Sequence, residues 1–389
     1  MMIGKRVLAT CAILLAATLA AGADEAKPES SSPYAQWKNG PSKDDSYFPI
    51  AVWCQEPSMA PEYQKAGINL YFSLWEGPTE AQLAELKKDG MQVVCGQNAA
   101  GLAHIDDPTI VGWMHGDEPD NAQSGTGSPV PPAKIVEEYE AIRKADPSRP
   151  VFVNFGRGVA WDGWKGRGTR NNHPEDFAEY IKGCDIASFD IYPVANMPAN
   201  LRGQLDFVGH GVERLVKWCD GGKFAWNALE CTRIHGEDKP TPKQVRTEVW
   251  MSLVKGSRGI IYFVHQFLPK FDEHALLDDP EMLAAVTAIN GQIKRLAPVL
   301  NSPTIPDGVK VESSNKDVPL ATMVKKQGGA TYVFAVAMKA GETDATFTLD
   351  GLVADAQVRV LGERRSIEPA DGKIRDHFGD WDVHIYRIR

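Results

Sequence analysis

Several things are missing from this chain of 389 residues, and each absence removes a class of function. Its six cysteines show no Cys-x-x-Cys spacing, so a zinc site or a redox dithiol is not expected. Cys54, Cys95, Cys184 and Cys231 border apolar runs and read as buried thiols, and one disulfide stays open. Basic charge is not in excess: the net charge is −9, and a chain of that sign repels phosphate backbones, so nucleic acid is not an expected partner. No apolar run reaches the roughly 20 residues of a membrane span. The run Val7–Ala21 follows Lys5 and Arg6 and leads to the small residues Ala21-Gly22-Ala23. That pattern predicts a signal peptide over 1–23, hence a secreted or periplasmic protein with no membrane insertion after cleavage. Its removal takes two positive charges and moves the net charge from −9 to −11. No G-x-G-x-x-G follows a first strand, which disfavours a dinucleotide fold. "AVWCQEP" has no His-x-His pair for a metal-dependent barrel, so neither metal nor cofactor is expected.

What is present is a rhythm. Residues 24–45 are polar and rich in Pro and Ser, and read as a linker. Eight apolar runs follow: "YFPIAVW" (47–53), "INLYFSLW" (68–75), "MQVVCGQN" (91–98), "TIVGWMHG" (109–116), "PVFVNFG" (150–156), "CDIASFDIYP" (184–193), "KFAWNALEC" (223–231) and "GIIYFVHQF" (259–267). Helical patterns fall between several of them, among them 79–90, 131–146, 211–219 and 241–256, with another at 279–298. Near-continuous apolarity suits parallel strands covered by helices, and eight such units over 46–300 predict a (β/α)₈ TIM barrel. Residues 301–389 instead carry short strands and turns, and predict a small antiparallel β-sandwich.

The active site of such a barrel lies at the C-terminal ends of its strands, so the polar residues following each run are the ones to read. They are Glu56 after strand 1, Glu76 after strand 2, Gln97 after strand 3, and His115, Asp117 and Glu118 after strand 4. Asn154 and Arg157 follow strand 5, Asp190 and Tyr192 strand 6, Glu230 and Arg233 strand 7, and His265 and Gln266 strand 8. Trp53, Trp75, Trp113 and Trp226 interleave with them, and Trp161 and Trp164 follow strand 5. Aromatic faces beside many hydrogen-bonding groups suit sugars. Glu118 and Glu230 stand out, because breaking a glycosidic bond takes one carboxyl to protonate the leaving oxygen and another to attack or activate water.

The residues "DEP" (117–119), "NALECTR" around Glu230 and "FDIYP" on strand 6 resemble the clan A glycoside hydrolases over about 46–300. That resemblance implies a retaining enzyme acting on a β-linked oligo- or polysaccharide, with Glu118 as acid/base, Glu230 as nucleophile and Tyr192 bonded to the nucleophile. Asp117 stands where the group has Asn, strand 2 lacks the group's arginine, and strand 8 lacks its tryptophan. His265 and Gln266 would line the subsite in that tryptophan's place.

Plainer readings stand beside these. Glu118 could be a turn residue before a proline, and Glu230 a rim ion-pair partner of Arg233. Glu56 and Glu76 share Glu118's placement and are reserve acids or substrate contacts. Asp117, Asn154, Trp53, Trp75, Gln97, His115, Asp190, Arg233, His265 and Gln266 are expected substrate contacts. An inactive barrel that only binds glycans is the alternative function. Oligomeric state is not legible in the sequence.

Overall fold

The structure, a computed structural model, describes residues 32–122, 128–164, 172–220 and 222–389. The expected signal peptide, 1–23, lies outside the described residues.

Nine parallel strand segments form the barrel: β1 (Ile50–Trp53), β2 (Leu70–Phe72), β3 (Gln92–Gly96), β4 (Ile110–Met114), β5 (Val151–Phe155), β6 (Ile186–Phe189), β7 (Phe224–Ala225), β8 (Asn227–Glu230) and β9 (Ile260–Phe263). They are hydrogen-bonded in the order β7-β6-β5-β4-β3-β2-β1-β9-β8. β7 and β8 are one barrel strand interrupted at Trp226. Its first half pairs with β6 (Ile186↔Phe224) and its second with β9 (Ala228↔Ile261), while Asp190↔Ala228 bridges the remaining gap. The nine segments therefore make the eight-stranded barrel expected.

A helix follows each strand: α1 (Ala60–Lys65), α2 (Glu80–Asp89), α3 (Ala99–Ala103), α4 (Pro132–Ala145), α5 (Asp176–Tyr180), α6 (Asp206–Trp218), α7 (Pro242–Val254) and α8 (Pro280–Asn301). Local chemistry fixes several ends. Thr79 with Gln82 and Thr241 with Gln244 form capping boxes, which satisfy first-turn N–H groups of α2 and α7. Gly90 closes α2 with φ 67°, a left-handed position that favours glycine.

The barrel interior is filled by Ala51, Leu70, Phe72, Val94, Phe152, Trp226, Ala228 and Ile261, all buried. Phe152 and Trp226 meet edge to face at 5.1 Å between ring centroids. Gly112 on β4 makes that filling possible, since a Cβ there would stand 2.5 Å from the Phe152 ring.

The segment read as a linker has a packing role from Ser32 onward. Tyr34 and Trp37 are buried beneath the barrel, where Tyr34 Oη donates to the Arg258 carbonyl (2.6 Å) and accepts from Trp226 Nε1 (3.0 Å). They plug the end opposite the rim. Polar composition concealed this because two aromatic residues carry the contact.

Two antiparallel sheets follow the barrel. One is β10 (Lys310–Ser313), β13 (Thr343–Thr348) and β16 (Lys373–Phe378) in the order β10-β13-β16. The other contains β11 (Leu320–Gln327), β12 (Ala330–Ala337), β14 (Val358–Val360), β15 (Arg365–Ile367) and β17 (Val383–Ile388), in the order β11-β12-β17-β14-β15. Val333, Ala335, Phe347, Ile374 and Phe378 form the apolar layer between them. Phe334 on the opposite face stacks on Trp250 of α7 (5.6 Å), which continues the barrel's outer core into this unit. Lys325 on β11 is buried and donates to the carbonyls of Leu300 (2.9 Å) and Ser302 (2.5 Å), so it caps the C-terminal end of α8.

Candidate active site

Beyond β4 the chain turns sharply. Glu118 takes φ 42°, a left-handed conformation rare for a side chain of its size, and its N–H bonds the Asn154 carbonyl at 2.9 Å. Cys54, Ser73, Glu76 and Ile234 also have positive φ, and all follow C-terminal ends of barrel strands. Strain of this kind gathers where side chains must be aimed for function. Gly156 leaves room for the Glu118 carboxyl: a Cβ there would lie 2.8 Å from Glu118 Oε1.

A chain of side chains sets Asp117. Ser188 Oγ on β6 donates to Asn154 Oδ1 on β5 (2.8 Å), and Asn154 Nδ2 donates to Asp117 Oδ1 (2.9 Å). The register Asn154↔Ser188 brings the first two side by side. Asp117 itself is exposed.

Asp190, two residues beyond Ser188, completes the group. Its carboxyl meets that of Glu118, and its Oδ1 has no N–H or O–H donor facing it. Two carboxyl groups can hydrogen-bond only if one carries a proton. Enclosure by protein, then the charges of Glu118 and Asp117, push Asp190 well above the usual carboxylate range, so the proton resides there. Asp190 still keeps partial solvent exposure, as a group in a recess does. Asp120 is pushed up to about 8 by burial and Glu118, and accepts from Gly156 N–H at 2.9 Å. Burial and Asp190 raise the Tyr192 phenol well above its ordinary value, so it stays a neutral O–H. Arg157, whose positive charge acts on Asp190, donates to the Asn196 carbonyl (2.9 Å) and lies over the Trp164 ring at 4.8 Å.

Aromatic residues border this cluster's face of the barrel. Trp75, 46% exposed, stacks on His265 at 5.6 Å, and Phe271, 49% exposed, stands edge-on to the same imidazole. His265 Nε2 bonds the Cys54 carbonyl at 3.0 Å, and burial lowers its pKa to about 4, so the ring is neutral. Trp53 stacks on Phe72. Glu56 and Glu76 are exposed at their strand ends, Arg233 is exposed, and Gln266 bonds Asp272 through its backbone.

Other expected contacts point elsewhere. His115 is buried beside Glu138 of α4 (3.6 Å), and burial lowers its pKa. Gln97 Nε2 donates to the Ile142 carbonyl in α4 at 3.1 Å. Both side chains thus serve the outer, helix-facing side of the wall. Trp113 is wholly buried and donates to Asp146, and Trp226 fills the barrel interior, so neither belongs to the rim.

Glu230 is wholly buried. Oε1 accepts from Val194 N–H (2.7 Å) and Oε2 from Ala195 N–H (2.6 Å), and its carboxyl faces Glu248 of α7. Glu230 thus bonds these loop amides, and among the described residues no hydrogen bond joins it to Asp117, Glu118 or Asp190.

Asp120 and Glu248 escaped the sequence reading. Asp120 was legible as the third acid of "DEPD". Glu248 was legible as a carboxylate inside the helical stripe Val245, Glu248, Val249 and Ser252, where an apolar residue is the norm.

No protein-family model matches this sequence, and no curated protein matches it. Solved structures do match in fold. An α-amylase from Geobacillus thermoleovorans, solved with acarbose, aligns at TM-score 0.54 and 10% identity, covering 89% of this chain and 98% of that one. An Anoxybacillus α-amylase aligns at 0.53 and 12% identity, over 89% and 99% of the two chains. A putative α-galactosidase from Bacteroides fragilis aligns at 0.51 and 11%, over 88% and 79%. The chain therefore shares the (β/α)₈ barrel fold of these structures. At these identities the likeness is one of fold, and the chemistry resides in the chain's own residues.

Proposed function

We propose that this protein is a glycoside hydrolase whose reaction runs on the carboxyl cluster after β4 and β6. The observation that carries the reading is the Glu118–Asp190 carboxyl pair, with the ionisable Asp117 beside it, in a recess at the C-terminal end of the barrel. Asp190 holds the proton and gives it to the leaving glycosidic oxygen, with Glu118 as the other end of that hydrogen bond. Asp117, exposed and oriented by Asn154, is the carboxylate that attacks the anomeric carbon. After departure of the aglycone the Asp190–Glu118 pair, now short of a proton, takes one from the water that releases the sugar. Trp75 and Phe271 offer apolar faces to sugar C–H patches. The clan A resemblance gave the attacking role to Glu230, which would first have to release both loop amides. A secreted location and a β linkage remain expectations of sequence pattern and resemblance.

A panel of paired aryl α- and β-glycosides, followed by polysaccharides, tests the activity. Hydrolysis is expected, with one anomeric series preferred. Attack by Asp117 forms a covalent glycosyl-enzyme, so the product should retain its anomeric configuration by NMR. Azide should rescue Asp117→Ala on an activated glycoside. Rescue of Glu230→Ala instead would return the nucleophile to strand 7. Glycan binding by the unaltered protein without cleavage anywhere in the panel would sink the enzyme reading and favour a binding barrel.

A further inference from the structure

Glu230 and Glu248 are both fully buried, yet the mechanism above uses neither. Both oxygens of Glu230 accept backbone N–H bonds, the arrangement that holds a carboxylate in its ionised form. Neither oxygen of Glu248 has an N–H or O–H donor facing it, and its carboxyl abuts that of Glu230. Two like charges in contact, sealed from water, would be strongly destabilising. One proton between them removes the conflict. Glu248 as the neutral acid donates to Glu230, and Glu230 stays free to accept from Val194 and Ala195.

The loop so held begins immediately after the catalytic strand end. Asp190 and Tyr192 lie on it, followed by Pro193, Val194 and Ala195, and Asn196 O receives Arg157. We propose that Glu230 and Glu248 form a one-proton carboxyl clasp between α7 and the β6 loop, which positions Asp190 and Tyr192 for the reaction at the rim. They are positioning residues, acting through the loop. Placing Asp190 in that role rests on the proposed glycoside hydrolase; the clasp itself does not.

The charged and titratable surroundings are few. From β8's end comes Cys231, a thiol that burial raises well above its ordinary pKa and that donates to the Phe263 carbonyl on β9. Among the described residues, the β6 loop contributes the two N–H groups and α7 contributes Glu248. Burial raises Glu230 to about 7 and holds Glu248 well above the usual carboxylate range, and Asp279 acts on Cys231 from the start of α8. Loss of the shared proton at alkaline pH leaves two facing charges, and the clasp should open.

Amide hydrogen exchange on the full chain, corrected for intrinsic pH dependence, tests this without any substrate. Val194 and Ala195 should be protected at pH 6 and lose about tenfold or more of that protection on going to pH 9. Glu248→Gln keeps a donor toward Glu230 but has no proton to lose, so its protection should persist at pH 9. Glu230→Gln offers one acceptor oxygen where two N–H groups need one each, so protection should fall at every pH. On any glycoside the wild type cleaves, Glu248→Gln should extend kcat to higher pH with KM little changed. Identical corrected exchange in wild type and Glu248→Gln would overturn the clasp, as would full protection in Glu230→Gln. If the exchange results hold but no glycoside is cleaved, the clasp stands and only the proposed function fails.

Discussion

Asn154 and Asp117 are joined side chain to side chain across adjacent barrel strands, Nδ2 to Oδ1 at 2.9 Å, and Ser188 holds the other end of the same amide. The bond helps set the direction of an exposed carboxylate. Asn154→Ala removes that bond. Activity should fall about 10- to 100-fold, mainly in kcat, because misplacing a reacting group by about an ångström costs that much. Steady-state kinetics on the preferred glycoside checks it, with a melting curve to confirm folding. A change confined to KM would argue against Asp117 as the attacking group.

Asp190→Asn keeps the side chain's shape and removes its proton. The expected loss is about 10²- to 10⁴-fold in kcat, the usual worth of a general acid. The pH profile carries a second sign. Asp190 is raised well above the usual carboxylate range, so the alkaline limb of the wild-type profile, where Asp190 ionises, should lie above that range. In Asp190→Asn the limb set by Asp190 should disappear from the residual rate, leaving only the fall that opening of the Glu230–Glu248 clasp produces. An unchanged limb would mean another group supplies the proton.

His265 makes stability depend on acid. Its folded pKa, about 4, lies below the unfolded histidine value of about 6.5. The unfolded chain therefore binds the proton first as pH falls. The stability contributed above about pH 6.5 is lost between there and pH 4, by roughly 3 kcal/mol. His265→Gln, whose amide can still donate to the Cys54 carbonyl, should flatten that part of the curve. Denaturant titrations at pH 4.5 and 7 measure the difference, and parallel curves for the two proteins would refute it.

Lys325 joins the barrel to the unit that follows it. In Lys325→Met the carbonyls of Leu300 and Ser302 lose their donor in a buried place, at a cost of about 2–3 kcal/mol. Chemical denaturation should show that loss, with little effect on kcat because the rim is untouched. A stability equal to wild type would mean that water replaces the ammonium there.

The barrel was legible because its evidence is additive. Eight apolar runs, helices between them and turn residues at their ends all point the same way, and an error in one leaves the others standing. The carboxyl cluster was legible in part: Asp117, Glu118, Asp190, Tyr192 and Asn154 were identified from strand ends, and the fold brings them together. The sequence singled out Glu118 with Glu230, whereas in the structure Glu118 meets Asp190 and Glu230 meets Glu248.

The amino-acid sequence by itself determined where each strand runs and which residues stand at its end, since hydrophobic runs and breakers are local properties. Tertiary structure decided which way those residues face. A half-buried strand announces its phase by alternating polar and apolar residues, but a barrel strand is apolar on both sides and carries no such mark. So Trp226 went into the interior and Trp113 to the outer core, His115 and Gln97 turned to α4, and Glu230 closed onto a loop and a helix. Those directions depend on neighbours far away in sequence, and only the closed barrel brings them close enough to choose.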